Sequence, residues 1–225
     1  MGEQGKPGAA SGSAPVASPE RDLVVLSGPS GAGKTTVSRA VAERLGLLIG
    51  VSATTRPQRE GETDGVDYHF LDRAEFEKRL TDGRFVEWAE VFGRYYGTPV
   101  EELERARRLG KRLLLEIDVQ GGIQIKRKFP EAPAILLLAP NDEELRRRLS
   151  KRGTEPPEEV ERRFAKAKEE VEMARQSGAY DVEVTNGDLN VAVEQVVRII
   201  ETRSEKIAPK KRSEGADSNK RREKT

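Results

Sequence analysis

The segment Gly28-Pro29-Ser30-Gly31-Ala32-Gly33-Lys34-Thr35 fills every fixed position of G-x-x-x-x-G-K-[ST]. Before it stands Leu23-Val24-Val25-Leu26, a short apolar run of the kind found in strands buried on both faces. After it comes TTVSRAVAERL (35–45), with Val37, Ala40, Val41 and Leu45 at helical spacing. Strand, glycine-rich turn and helix in that order let the backbone wrap a phosphate chain, with N–H groups pointing inward at the positive end of a helix. The expected ligand is a nucleoside triphosphate. Lys34 is placed to reach its β- and γ-phosphates, and Thr35 to offer a hydroxyl to Mg²⁺.

The rest of the chain continues the alternation. LLIGVS, RLLLEID (112–118), AILLLAP (134–140) and DVEVTN (181–186) read as strands, and helical patterns fall at about 73–81, 99–109, 141–151, 157–177 and 188–203. Strands alternating with helices predict a parallel sheet flanked by helices on both faces. RLLLEID carries Glu116 and Asp118 to the carboxyl end of a strand, where open α/β sheets place their ligands. Either carboxylate is suited to orient a hydrated Mg²⁺ or to hold an incoming substrate. A salt-bridged structural role is the bland alternative for each.

Composition narrows the chemistry. The 225 residues include no cysteine and one histidine, His69, so disulfides, thiolate zinc sites, cysteine nucleophiles and multi-histidine metal sites are out. The absence of cysteine fits a cytoplasmic chain. No stretch approaches the roughly 18 apolar residues of a membrane helix, and the first residues lack the layout of a secretory signal. Residues 207–225 hold seven Lys/Arg against three Asp/Glu, whereas 21–206 hold 32 basic against 34 acidic residues. A nucleic-acid binder usually carries its positive excess on the folded body, so no specific nucleic-acid partner is expected. The basic tail reads as a solvated, disordered segment, and 1–20 as a disordered leader.

Region 52–98 breaks the alternation and reads as a lobe inserted between a strand and the next helix. Within it, Ser52-Ala53-Thr54-Thr55-Arg56-Pro57-Gln58-Arg59 sets two guanidiniums three residues apart in a turn, able to converge on one phosphate. Tyr68 and Tyr96 are candidate hydroxyl donors to the same group. Glu87, flanked by Phe85, Val86 and Ala89, is a carboxylate suited to guanine, whose N1–H and 2-amino group form two parallel donors. Adenine has an acceptor at N1 and no 2-amino group, and would leave that carboxylate unpaired.

With these residues in view, the sequence resembles guanylate kinases. GPSGAGKTT, VSATTR with its second arginine, GVDYHF, FVEWAEVFGRYYGT, LEIDVQG, RLSKRGTE and EEVERRFAKAKEE look like that family's blocks in its order, across about 21–203. The resemblance implies an α/β nucleoside monophosphate kinase fold: a parallel sheet flanked by helices, an inserted GMP-binding lobe and a helical lid. It also implies transfer of the ATP γ-phosphoryl group to GMP. The implied organisation is a core of 21–51, 99–140 and 164–203, a GMP lobe of 52–98 and a lid of 141–163, with 204–225 as the basic tail. By the same resemblance, Gly28 to Thr36 and Asn186 bind ATP, Asn186 lying near the adenine. Ser52, Glu87 and Thr98 contact guanine, and Arg56, Arg59, Tyr68 and Tyr96 hold the GMP phosphate. Asp118 lies near GMP and the metal, while Lys34, Arg152 and Arg163 stabilise the transferring group. Thr98 stands where many members have serine, and Gly187 interrupts the usual Asn-Asp-Asp-Leu. The main rival is an inactive, peptide-binding scaffold module, and such modules have damaged phosphate loops. Here the loop is intact. The oligomeric state stays open.

Overall fold

The computed structural model describes residues 22–150 and 156–207, with side chains described as far as Arg203. Its core is built on β1 (Leu23–Ser27), whose five residues are all buried. Parallel neighbours β7 (Leu113–Ile117) and β8 (Ala134–Leu138) lie on either side of β1, and β2 (Leu48–Ile49) and β9 (Val182–Thr185) close the sheet in the order β2-β7-β1-β8-β9. Every pairing in this sheet is parallel. A strand covered on both sides needs no polar alternate residue, which is why β8 and the first residues of β1 and β7 read as apolar runs, with Ser27 and Glu116 only near their carboxyl ends.

The two faces use alternate residues of the same strands. Val24, Leu26, Leu114, Ile135 and Leu137 meet Val37 and Val41 of α1 (Lys34–Leu45) and Ala192, Val196 and Ile200 of α7 (Leu189–Ile207). Leu23, Val25, Leu113, Leu115 and Ile117 meet Ala106 of α3 (Val100–Arg108) and Ile125 of α4 (Val119–Lys128). No helix among the described residues is long and apolar enough to cross a membrane.

The inserted region forms its own small sheet. β3 (Ala53–Thr54), β4 (His69–Phe70), β5 (Phe85–Val91) and β6 (Arg94–Pro99) pair in the order β4-β3-β6-β5, with β3 and β4 parallel and the rest antiparallel. Helix α2 (Arg73–Thr81) covers it through Phe76, which stacks on Phe85 at 4.3 Å and Tyr95 at 5.2 Å between ring centroids. The β5–β6 turn has Phe92 at φ 50° and Gly93 at φ 71°, the two positive values that a tight two-residue hairpin demands.

Helices α5 (Asp142–Ser150) and α6 (Pro157–Ser177) pack through Leu145, Leu149, Phe164 and Ala167. The boundary at 163–164 implied by the resemblance falls inside α6, which is one unbroken helix of 21 residues. The leader, the basic tail beyond 207 and residues 151–155 of the expected lid lie outside the described residues.

Helix α4 is absent from the periodicity reading. Its sequence, VQGGIQIKRK, holds two adjacent glycines, each costing roughly 1 kcal/mol relative to alanine inside a helix. The structure supplies the reason. A Cβ on Gly122 would overlap the Tyr180 hydroxyl, and one on Gly121 would overlap the Glu87 carboxylate. Helix propensity has yielded to close approach at both positions.

Gly122→Ala is therefore expected to lower stability by about 1–3 kcal/mol, the range for overpacking. Tyr180→Phe in the same chain should recover part of that loss, because the overlapping oxygen is gone. Urea unfolding of the two single variants and the double variant checks this, and additive losses would contradict it.

Candidate active site

The carboxyl ends of β1 and β7 open on one cleft. An inner chamber of about 200 Å³ is lined by Gly28, Lys34, Thr35, Glu87, Asp118 and Arg163, among others. An outer cleft of about 890 Å³ adjoins it and is lined by Arg56, Arg59, Tyr68, Tyr96, Glu116 and Arg163, among others. The outer cleft by itself falls in the size range of small-molecule sites. Ser52 lines both.

The phosphate loop joins β1 to α1. Gly33 caps α1 in the left-handed region at φ 91°, and a Cβ there would overlap the Asn186 amide. The Lys34 ammonium donates to Gly28 O at 2.6 Å and Pro29 O at 3.1 Å. Pro29, Gly31 and Ala32 are held within the fold, while Thr35 and Thr36 are exposed on the first turn of α1. The Thr35 hydroxyl donates to Glu116 Oε1 at 2.5 Å, and Ser38, one turn further and fully buried, donates to Glu116 Oε2 at 2.6 Å. Ser38 was not singled out from the sequence, although its i,i+3 spacing from Thr35 puts it on the same face.

Asn186, expected on the ATP side, lies against the phosphate loop. It is buried, its amide donates to Ala32 O at 2.9 Å, and its own carbonyl accepts from Arg148 at 2.7 Å. Arg148 also donates to Ala32 O at 3.3 Å, so this arginine braces the loop, whereas Arg146 lies over the Phe164 ring at 3.6 Å. Helix α6 reaches the loop twice. Arg163 donates to Ser30 Oγ at 2.8 Å, and seven residues on the buried Glu170 carboxylate accepts from the Ser30 amide. Burial pushes the Glu170 carboxyl up, against the opposing pull of Lys34. Arg152 lies outside the described residues.

On the lobe side, Glu87 and Thr98 face each other across β5 and β6, and the Thr98 hydroxyl donates to Glu87 Oε1 at 2.7 Å. Glu87 is 2% exposed. Burial pushes its carboxyl up to about 7; Thr98 pulls it down, Asp118 pushes it further up, and Lys128 pulls it down. Asp118 caps α4, accepting from the Gly121 amide at 3.0 Å. Beneath it, the Tyr180 hydroxyl lies 2.8 Å from Ser27 Oγ, which donates to Asp118 O at 2.8 Å. Ser27 and Tyr180 lie 153 positions apart, a pairing that only the tertiary structure reveals.

Arg56 donates to Glu62 at 2.7 Å and lies over the Tyr68 ring at 5.3 Å. It holds the Glu62 carboxyl below the usual carboxylate range. The Arg59 amide donates to the other Glu62 oxygen at 2.8 Å, while its side chain is exposed along the outer cleft. Tyr68 and Tyr96 meet edge to face with ring centroids 6.1 Å apart. The phosphate loop on the core, and the arginines, tyrosines and buried Glu87 carboxylate on the lobe, make a cleft that can take anionic groups at two places and a donor-rich ring at Glu87.

A family model described as "Guanylate kinase" matches residues 20–203. A guanylate kinase of Gloeobacter violaceus is 47% identical over 191 residues, covering 84% of this chain and 92% of that protein. One of Fusobacterium nucleatum is 45% identical over 179 residues, covering 80% and 95%. The crystal structure of guanylate kinase from Anaplasma phagocytophilum superposes with a TM-score of 0.66 at 33% identity, covering 81% of this chain and 85% of that one.

The Glu87 environment predicts a pH dependence of stability. Between the ordinary carboxylate value of 4.5 and about 7, the folded protein keeps a proton that the unfolded chain releases. Stability then falls as pH rises through that window, by up to about 3 kcal/mol. Glu87→Gln lacks this loss, so its advantage over the parent protein should grow from pH 4.5 to 7 and level off above. Denaturant titrations of both proteins across that range test it, and a constant difference would refute it.

Proposed function

The chain belongs to the guanylate kinase family and is an ATP:GMP phosphotransferase, and from that premise we propose how its own residues carry the reaction. The observation that carries the assignment is the single inner chamber holding Lys34 of the phosphate loop and the buried Glu87 together. Guanine lies against Glu87, with N1–H and the 2-amino group both donating to the carboxylate, and Ser52 and Thr98 at its sides. An acid neutral below about pH 7 in the empty site becomes ionised when two donors converge on it. Arg56 and Arg59 take the GMP phosphate, with Tyr68 and Tyr96 beside them. On binding, the phosphate takes over the guanidinium that Glu62 holds in the empty site.

ATP occupies the loop from Gly28 to Thr36, its phosphates wrapped by the loop amides, with Asn186 and Arg148 keeping that loop in shape. A GMP phosphate oxygen attacks the γ-phosphorus, the bond from that phosphorus to the β,γ-bridging oxygen breaks, and ADP leaves with the electron pair. No covalent enzyme intermediate is needed. Lys34 and Arg163 offset the charge that spreads over the transferring oxygens, and Arg152 is proposed as the companion of Arg163 from its place in RLSKRGTE. Closure over the cleft keeps water from taking the place of GMP.

Thr35 and Glu116, oxygen donors 2.5 Å apart at the loop, fit a hard divalent cation held chiefly by substrate phosphates. Asp118 is a further carboxylate on the GMP side. No group of three or more acidic or histidine side chains able to cage a metal occurs among the described residues, which suits Mg²⁺ arriving with ATP. When bound, that ion neutralises phosphate charge and aligns the γ-phosphoryl group.

A coupled ADP-release assay with Mg·ATP and GMP, AMP, CMP or UMP in turn tests the base assignment. ADP release is expected with GMP, and Glu87→Gln should lower kcat/KM for GMP by about a hundredfold or more. A loss under about fivefold would remove Glu87 from base recognition. GMP affinity should weaken as pH falls through about 7, because binding must then expel a proton from Glu87. Calorimetry in buffers of different ionisation heat measures that proton, and Glu87→Gln should not release it. Arg163→Ala should lower kcat by about a hundredfold or more, leaving the GMP preference intact; an unchanged kcat in single-turnover assays would refute its role.

A further inference from the structure

Strand β5 lies at the edge of its sheet, with β6 on one side and no strand on the other. Its register against β6 shifts between Phe85 and Glu87, where two residues of β5 oppose one of β6. A bulge of this kind leaves its extra residue unpaired and re-aims the side chains beside it. Here that neighbour is Glu87. From β6 the Thr98 hydroxyl holds one carboxylate oxygen, while the bulge leaves the Val86 side of Glu87 without a regular ladder partner.

Helix α4 fills the missing edge. Asp118, Gly121, Gln124 and Lys128 follow one another at spacings of three, three and four, so they form one stripe on that helix. The Gln124 side-chain amide donates to Trp88 O at 2.6 Å, and its Oε1 accepts from the Trp88 amide at 3.4 Å, the pair of bonds that a neighbouring strand would make. The Lys128 ammonium donates to Val86 O. These contacts bracket Glu87 on both sides along the backbone. The Gly121 face rests against the Glu87 carboxylate itself, so closely that a Cβ would overlap it.

We propose that Gln124 and Lys128 are positioning residues for base selectivity, acting as a surrogate strand that holds the bulged edge of β5 and so sets the orientation of the Glu87 carboxylate. Neither side chain lines the chamber or the outer cleft. Gln124 acts through the backbone of Trp88, and Lys128 through the backbone of Val86 together with the pull of its charge on the Glu87 carboxyl. The inference rests on Glu87 reading guanine. A carboxylate that must meet two parallel donors is sensitive to its own rotation, and the contact to the 2-amino group is lost first when it turns. Inosine monophosphate keeps the N1–H and lacks the 2-amino group, so the preference for GMP over inosine monophosphate reports that orientation.

The test uses the full-length enzyme with Gln124→Leu, which keeps the bulk and removes both bonds, with Lys128→Met, and with Lys128→Arg as the conservative variant. KM and kcat are measured for GMP, inosine monophosphate and ATP. Gln124→Leu and Lys128→Met should each raise KM for GMP about tenfold and lower the preference over inosine monophosphate by about as much, with KM for ATP within about twofold. Lys128→Arg should restore both. Gln124→Glu, which keeps the acceptor for the Trp88 amide and loses the donor to Trp88 O, provides a second reading at the same position. An unchanged preference in folded variants overturns the inference, as does a parallel rise in KM for ATP and GMP, which would mark general loosening. Glu87→Gln separates the two levels. If it spares GMP use, the base reading fails and this inference with it. If it abolishes GMP use while Gln124→Leu leaves the preference intact, only this inference fails.

Discussion

The carbonyl of Ala32 shows the constraint under which the whole cleft is built. A loop that turns amide hydrogens toward a phosphate has few left to hold itself together; the Ala32 amide donates to Pro29 O at 3.2 Å, and other loop carbonyls are met from elsewhere. Asn186 at the end of β9 and Arg148 in the last turn of α5 both donate to Ala32 O, and Lys34 folds over Gly28 and Pro29. The strand order, with β8 beside β1 and β9 beyond it, brings the carboxyl end of β9 next to the loop, and α5 leaves the end of β8 on the same side. The sheet is thus as much a support for one hexapeptide turn as a hydrophobic core.

Three carboxylates near that loop do different work because their surroundings differ. Glu116 is bound by two hydroxyls of α1. Asp118 is committed through one oxygen to the first turn of α4. Glu87 has almost no solvent, and burial outweighs the bonds it accepts from Thr98, which leaves it close to balance between charged and neutral forms near pH 7. Groups of one chemical type are thus given different partners by the elements around them.

What could be read from the sequence was what local rules dictate. The phosphate loop, the apolar strands β1, β7 and β8, and the helices 73–81 and 157–177 follow from spacing within a few residues of each other. Strands β3 and β4, two residues each, carry no periodicity to detect. Helix α4 was hidden by the two glycines that let it approach Glu87 and Tyr180, so the signal that argued against a helix was the mark of its function. Glu62, Arg148, Glu170 and Tyr180 were not assigned roles because each role depends on a partner chosen by tertiary packing. Ser30 and Glu170, for example, meet only because α6 runs back across the loop.

The unbroken course of α6 also has a mechanical meaning. Its 21 residues make a stiff rod about 30 Å long that meets the phosphate loop at Glu170 and, two turns nearer its N-terminal end, at Arg163. Ala167 and Ala174 are among its buried residues, and such short side chains leave little to interlock when packed surfaces slide. A rod pivoting where Glu170 meets the loop has its first residue about 20 Å from the fulcrum and Arg163 about 10 Å from it. The tip then travels about twice as far as the arginine. Were α6 to swing about that point, a coarse movement at the rim would become a fine adjustment beside the phosphates.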